Sequence, residues 1–206
     1  MDYPKKLSFK NYVFFVDENV YEPAEDTFLL TENMKVKETD AVLDMGTGCG
    51  ILAVLATERA KKVLAVDVNP HAITCAKKNA ELNGVENKIE FRLGNLFQTL
   101  EPNETFDLIV FNAPYLPSEP REERSWIGKA WAGGPTGRKV IDSFIKDASK
   151  FLANDGRILL VQSSLSDIDK TLEMFAEVGL KARVESWVKV PFERIVLIEA
   201  NRANFA

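Results

Sequence analysis

The sequence predicts an α/β fold: a doubly wound, largely parallel sheet of about seven strands that closes in an antiparallel hairpin. Three observations carry this. Compact apolar runs of strand length stand at Ala41–Met45, Val63–Val66 and Phe106–Phe111. Longer stretches with helical spacing of apolar residues lie between them, so strands and helices alternate as βαβ units require. The final stretch instead reads as two strands, Lys181–Val188 and Arg194–Ala200, joined through Pro191 as in a hairpin. No repeat, low-complexity tract or linker interrupts residues 1–206, which are expected to form one domain, with 1–36 as an N-terminal extension packed on the sheet.

Composition narrows the class. Of 206 residues, 46% are hydrophobic and 28% charged, an ordinary globular balance that argues against disorder. The formal net charge is −5, opposite in sign to a chain built to grip duplex nucleic acid, so nucleic acid is not the expected partner. No apolar run approaches the ~20 residues of a membrane span, and no signal-peptide pattern opens the chain. The two cysteines, Cys49 and Cys75, make no metal-ligand pattern with His71. A cytoplasmic, metal-free protein is expected.

Taken in order, Asn11–Val16 is aromatic and β-branched, as a short strand or hairpin arm would be. Pro23 followed by Glu25 and Asp26 starts a helix that fades near Met34, and the acids read first as helix-start electrostatics. The strand Ala41–Met45 runs into Asp44-Met45-Gly46-Thr47-Gly48-Cys49-Gly50, with a helix following from Ile51 to about Ala60. Alternating glycines let backbone turn sharply and approach a ligand, and the helix start offers free N–H groups. Asp67, at the end of the next strand, lies about 20 residues on, where a ribose-binding carboxylate is expected. A dinucleotide site asks for a glycine where Ile51 stands, and the Asp44 carboxylate would repel a pyrophosphate. It suits a ligand bearing an amino group and a sulfonium, which points to S-adenosylmethionine rather than NAD.

Asn69-Pro70 is a cap and first-turn proline for a helix from His71 to about Asn83, stopped by Gly84. His71 in its first turn has a surface or capping role, and Cys75 a packing role. Ile89, Phe91 and Leu93 alternate as a strand, and Gly94-Asn95 at its end reads equally as a plain turn or as a side chain placed to reach an adenine edge. The strand Phe106–Phe111 leads into Asn112-Ala113-Pro114-Tyr115-Leu116-Pro117, and Pro114 and Pro117 forbid its continuation. Chain must therefore turn out at the carboxyl edge of the sheet, where open α/β folds bind ligands. The Asn112 carboxamide, the Ala113 carbonyl and the Tyr115 ring suit a planar NH2 group, whether a primary amide or the exocyclic amine of adenine. Ser118–Pro135 is a long connection, and loops of that length are usually functional. Trp126 and Trp131 within it are expected to cover substrate. Helices at Thr136–Leu152 and Ser166–Val178 flank a buried strand at Ile158–Val161.

With these residues in place, the chain resembles a class I S-adenosylmethionine-dependent methyltransferase. More narrowly, it resembles the HemK-type family that methylates a glutamine side chain in class 1 translation release factors, in its small archaeal and eukaryotic branch. The resemblance rests on Tyr21–Thr27, Asp44–Gly50, Asp67–Pro70, Asn112–Pro117 and Ala130–Gly134, in order and spacing. It implies that Thr27, Asp44 and Gly46 line the methionine end of the cofactor and Asp67 holds the ribose hydroxyls, with Gly48, Gly50, Val68 and Asn112 also binding the cofactor. Asn95 and Leu96 then flank the adenine, and Asn112, Ala113, Pro114 and Tyr115 hold the target amide, within a substrate loop over 112–135. It also implies a small zinc-binding activator subunit docked along the edge strand 88–94. Two positions depart from the family pattern. Ala113 stands where a proline is usual, which frees one φ angle, and Asn95 stands where an aspartate is usual, which weakens the bond to adenine. The readings set against this one are an adenine-N6 methyltransferase of DNA or RNA, a lysine methyltransferase, and a weakly active cofactor-binding subunit.

Overall fold

The computed structural model describes residues 3–202. A seven-stranded sheet runs in the order β5-β4-β3-β6-β7-β9-β8. Its parallel part comprises β3 (Ala41–Met45), β4 (Lys62–Asp67), β5 (Ile89–Leu93), β6 (Phe106–Asn112) and β7 (Leu152–Ser163). The hairpin of β8 (Leu180–Val190) and β9 (Glu193–Arg202) adds to β7 antiparallel, with β9 inside. The central strands read as apolar runs because both sides of a parallel sheet are covered. Helix α2 (Ile51–Ala56) packs on β3 and β4, and α3 (Pro70–Leu82) on β4 and β5. Helix α1 (Glu25–Asn33) lies against β6–β9, α6 (Ile168–Glu177) against β8, and α5 (Lys139–Ala148) against α6.

Register sets the ligand edge. Met45 pairs with Val66 and with Phe111, while Asp67 pairs with Leu93 and Asn112 with Val161. Neighbouring strands therefore end almost level, and their loops leave on the same side. Asn69 caps α3 by accepting from the His71 N–H at 2.9 Å, as its sequence position requires.

Several boundaries differ from expectation. Helix α2 stops at Ala56, where the Thr57 hydroxyl donates back to the Val54 carbonyl at 2.7 Å. Helix α5 starts at Lys139, because Gly137, at φ +71°, still belongs to the loop. Strand β7 is longer than the buried run suggests, since Gly156 carries an irregular stretch between its pairings at Leu152 and Arg157.

Within the N-terminal extension, α1 packs on the sheet, while the two strands before it pack on a helix. Strands β1 (Lys5–Phe9) and β2 (Tyr12–Val16) form their own two-stranded sheet. That hairpin docks on α3 through the carboxamides of Asn79 and Asn83. Asn79 accepts from Phe15 N–H at 2.8 Å and donates to the Phe15 carbonyl at 2.9 Å. Asn83 accepts from Val13 N–H at 3.1 Å and donates to its carbonyl at 2.8 Å. Spaced four apart on one helix face, the two amides imitate the edge of a neighbouring strand. Asn79 also donates to the Cys49 carbonyl at 2.8 Å, which ties the hairpin to the glycine loop.

An aromatic cluster supports the floor of that loop. Phe144 is fully buried, with ring centroids 4.9 Å from Phe111 and 5.3 Å from Phe97. Phe144→Ala is expected to cost about 3–5 kcal/mol, as other buried Phe truncations do. Urea unfolding should show this as a lowered midpoint with unchanged slope.

Candidate active site

The level strand ends and the segment 116–140 enclose a cavity of about 750 Å³. Of the residues singled out in the sequence, Thr27, Gly46, Gly48, Asp67, Val68, Asn95, Leu96, Asn112, Ala113, Pro114 and Tyr115 line it. So do Trp126 and Trp131, half-buried in the loop above. Asp44 and Gly50 are not among the residues that line the cavity. Asp44 is fully buried behind the loop, where it accepts from the Thr47 hydroxyl at 2.6 Å and the Ala53 N–H at 3.1 Å. Its other oxygen, Oδ1, is buried with no partner among the described residues. Burial pushes its carboxyl up to about 7. Gly50 serves packing: at φ +86°, a Cβ there would stand 2.9 Å from Ala76 Cβ on α3.

Asp67 braces two loops at once. Oδ2 accepts from Gly48 N–H at 2.9 Å and Oδ1 from Asn69 N–H at 2.8 Å. Burial raises its pKa against the effect of those backbone donors. On the neighbouring strand end Leu96 holds φ +48°, an uncommon conformation for a branched apolar side chain. Such outliers concentrate at ligand sites. Asn95 beside it is exposed, and its side chain makes no capping bond.

Asn112 is the polar centre of the opposite wall. Its Nδ2 donates to the Thr27 hydroxyl oxygen at 3.3 Å, while its Oδ1 is buried with no partner among the described residues. A buried acceptor left unpaired costs free energy unless a ligand supplies the donor. Beyond it, Tyr115 is 9% exposed and its hydroxyl donates to Asp26 Oδ2 at 2.9 Å. Tyr21 donates to the same oxygen at 3.0 Å. Asp26 and Tyr21 line the cavity yet escaped the sequence reading as site residues, because an acid after Pro23 looks like ordinary helix-start charge. The one signal was their place in Tyr21–Thr27, a motif denser in polar groups than a helix start needs.

The segment after β6 is clasped by the loop that covers it. Leu116 N–H donates to the Trp131 carbonyl at 3.0 Å, and Gly133 N–H to the Leu116 carbonyl at 2.8 Å. Ser118 and Gly134 exchange two bonds of 2.8 and 2.9 Å. The motifs Asn112–Pro117 and Ala130–Gly134 are thus one parallel pairing, with Leu116 opposite Ala132. Outside the clasp, short α4 (Trp126–Lys129) sets Trp126 edge-on to His71 at 6.4 Å, with Lys129 4.2 Å over its face. From behind, the Ser166 hydroxyl donates to the Tyr115 carbonyl at 2.5 Å. Ser166 is in turn fixed by Arg138, 4% exposed, whose guanidinium also donates to the Asp167 carbonyl at 2.6 Å and pairs with Asp142 at 2.8 Å.

Comparison with known proteins places this geometry. The profile of the ribosomal protein L11 methyltransferase (PrmA) family matches residues 27–113. A Methanocaldococcus jannaschii protein, provisionally assigned as a protein N5-glutamine methyltransferase, is 38% identical over 89% of this chain and 92% of its own length. The human methyltransferase HEMK2 is 34% identical over 79% of this chain and 80% of its own. The chain belongs to the HemK-type family of protein glutamine methyltransferases. In fold, this HemK-type chain matches Mtq2 in the E. cuniculi Mtq2–Trm112 complex, which methylates the eRF1 termination factor. The TM-score is 0.68 at 23% identity, covering 90% of this chain and 99% of the other. Its sheet order and terminal hairpin are those of the class I methyltransferases.

Gly137, at φ +71°, gives the sharpest test of the clasp. A Cβ there would lie 2.2 Å from the Tyr115 carbonyl oxygen and 2.9 Å from Ser166 Oγ. Gly137→Ala is expected to lower methyl-transfer turnover at least roughly tenfold, since displacements near 1 Å can cost about 10²-fold. Strain in the left-handed region should add about 1–2 kcal/mol of destabilisation. Steady-state kinetics beside a thermal melt separates the two effects.

Proposed function

We propose that this enzyme transfers the methyl group of S-adenosylmethionine to the side-chain amide nitrogen of a glutamine in a class 1 translation release factor, with S-adenosylhomocysteine as product. One observation carries the reading: the Asn112 carboxamide stands on the cavity wall with its NH2 committed to Thr27 and its buried oxygen free. That arrangement leaves an acceptor ready for a ligand N–H. The names of the HemK-type relatives and the eRF1-methylating Mtq2–Trm112 complex support the choice of substrate. The net charge of −5 favours a protein over a nucleic-acid substrate. Translation-related relatives support a cytoplasmic setting, and among the described residues no helix is long and apolar enough to cross a membrane.

The residues present fit the cofactor. Asp67 has lone pairs beyond its two backbone bonds to accept from ribose hydroxyls, with Val68 beside it. Gly46 and Gly48 bring backbone close to the methionine end, with Thr27 opposite. Asp44 acts there by pinning the loop through the Thr47 hydroxyl and the Ala53 N–H. Asn95 and Leu96 flank the adenine. When bound, S-adenosylmethionine supplies an electrophilic methyl group on a sulfonium. The protein's task is alignment, which can provide a large share of a rate enhancement. An amide nitrogen is a weak nucleophile because its lone pair is delocalised. Asn112 Oδ1 and the Ala113 carbonyl accept its two N–H bonds, which favours a pyramidal nitrogen and disperses the charge it gains. With the cofactor bound, methylation would release one N–H proton from the amide nitrogen, whose N–H bonds Asn112 Oδ1 and the Ala113 carbonyl polarise. Tyr115 and Pro114 hold the amide plane, and Trp126 and Trp131 exclude water from above.

Incubation with labelled S-adenosylmethionine tests this, with a class 1 release factor against duplex DNA and a histone-like protein, and mass spectrometry locating the methyl group. Asn112→Ala is expected to lower turnover by about 10²–10³-fold, the loss typical of one such acceptor or donor. Its cofactor affinity should stay near wild type. Asp67→Ala should do the reverse, weakening cofactor binding roughly tenfold to a hundredfold by calorimetry. Transfer to adenine or lysine in place of glutamine would replace the substrate assignment.

We also propose a small activator subunit, of the zinc-binding kind, along β5. Strand β5 is an edge of the sheet, and Leu93 is 54% exposed. Exposed edges invite strand addition. Ion pairs of Glu90 with Lys62 and of Arg92 with Glu104 guard part of this edge. Hydrogen exchange across 88–94 should slow when the subunit is added. Unchanged protection in a formed complex would move the docking surface elsewhere.

A further inference from the structure

An acid that merely favours a helix start sits in solvent and points at free N–H groups of its own turn. Asp26 does not fit that description. It is 4% exposed, and both oxygens are spoken for. Oδ2 accepts from Tyr115 at 2.9 Å and Tyr21 at 3.0 Å; Oδ1 accepts from Thr27 N–H at 2.6 Å and Thr27 Oγ1 at 3.2 Å. A carboxylate only accepts, so every proton in this cluster must point toward it. The Thr27 hydroxyl therefore spends its proton on Asp26 and keeps a lone pair for Asn112 Nδ2. Asn112 then has its NH2 occupied and its Oδ1 free. On the other branch, the Tyr115 hydroxyl is held, and with it the ring. Burial first, and the Asp26 carboxylate next, push both phenols above their ordinary range, so both stay protonated as donors.

We infer that Asp26 is a positioning residue for methyl transfer: it sets the direction of the hydrogen bonds through Thr27 to Asn112 and locks the Tyr115 ring, so that the far wall presents an acceptor beside a fixed aromatic face. This rests on the methyl-transfer reading above. The carboxylate touches neither reacting atom; it acts through Thr27 and Tyr115. It also joins two parts of the chain, since α1 and the end of β6 meet in this site chiefly through its bonds and the Thr27–Asn112 contact.

Asp26→Asn keeps the shape and removes one acceptor end. The Thr27 N–H is a fixed donor and needs the amide oxygen, so the new NH2 must face Tyr115 and Tyr21 and force their hydroxyls to reverse. Three measurements on the full chain decide the matter. Steady-state kinetics with a release factor should show kcat at least roughly tenfold lower, while S-adenosylmethionine affinity by calorimetry stays within about threefold. In a cycle with Tyr115→Phe, the double variant should lose no more than the worse single variant, as residues acting as a unit do. Independently of any substrate, the Tyr115 Cζ resonance should shift in tyrosine-labelled Asp26→Asn. It is one of only four tyrosine signals and is assigned by its loss in Tyr115→Phe. A kcat within twofold of wild type, independent losses in the cycle, or an unmoved Tyr115 resonance would each overturn the inference. If the wild-type chain leaves the release factor unmodified, the substrate assignment fails, and the Tyr115 resonance alone decides on Asp26.

Discussion

The chain cannot remain a strand beyond Asn112, and the backbone groups it frees there must find partners elsewhere. Pro114 and Pro117 lack N–H groups, and the sheet has no further ladder to offer. The solutions come from distant sequence. Leu116 and Ser118 pair with Trp131–Gly134, and the Tyr115 carbonyl accepts from Ser166. Each solution shapes the cavity, because each fixes a residue on its wall. Arg138 stands one step behind, holding the turn that holds Tyr115. A conventional loop could have satisfied the same groups with water; burying them instead gives a wall rigid enough for chemistry that depends on alignment.

The sheet and most of the cavity wall were legible in the sequence because they rest on local signals. Glycines at the strand-to-helix turn, acids at strand ends and prolines after a buried run each act within a few residues of where they stand. Asp67, Asn95 and Asn112 were readable in this way. What escaped depends on partners far along the chain. Asp26 looks like helix-start charge until Tyr115, 89 residues on, is seen to reach it. The hairpin's place on α3 was hidden too, since Asn79 and Asn83 pair by side chain with backbone and leave no periodic trace. Asp44 and Gly50 were read from the glycine motif and the end of its strand, with no sign of what they bond or pack against. Their partners are the Thr47 hydroxyl, which donates to Asp44, and Ala76, against which Gly50 packs.

The two departures from the family pattern fall in different settings. Ala113 is 2% exposed and bounded by clasped residues on its C-terminal side, so neighbouring contacts supply the constraint that a proline ring would have given. Asn95 is exposed at a helix-turn start with an uncommitted side chain, and nothing around it compensates for the missing charge. Of the two positions, Asn95 is therefore the one that its surroundings leave unsupported.

The order β7-β9-β8 has a consequence for how the protein is made. Strand β8 leaves the ribosome before its only partner in the sheet exists, because β9, which follows it, fills the place between β8 and β7. Until β9 arrives, β7 presents a bare, apolar edge whose pairing groups are open to any passing strand. The nascent chain thus carries its greatest tendency to self-associate late in synthesis, with the glycine loop already able to form. In the finished sheet the hairpin of β8 and β9 covers that edge along its length.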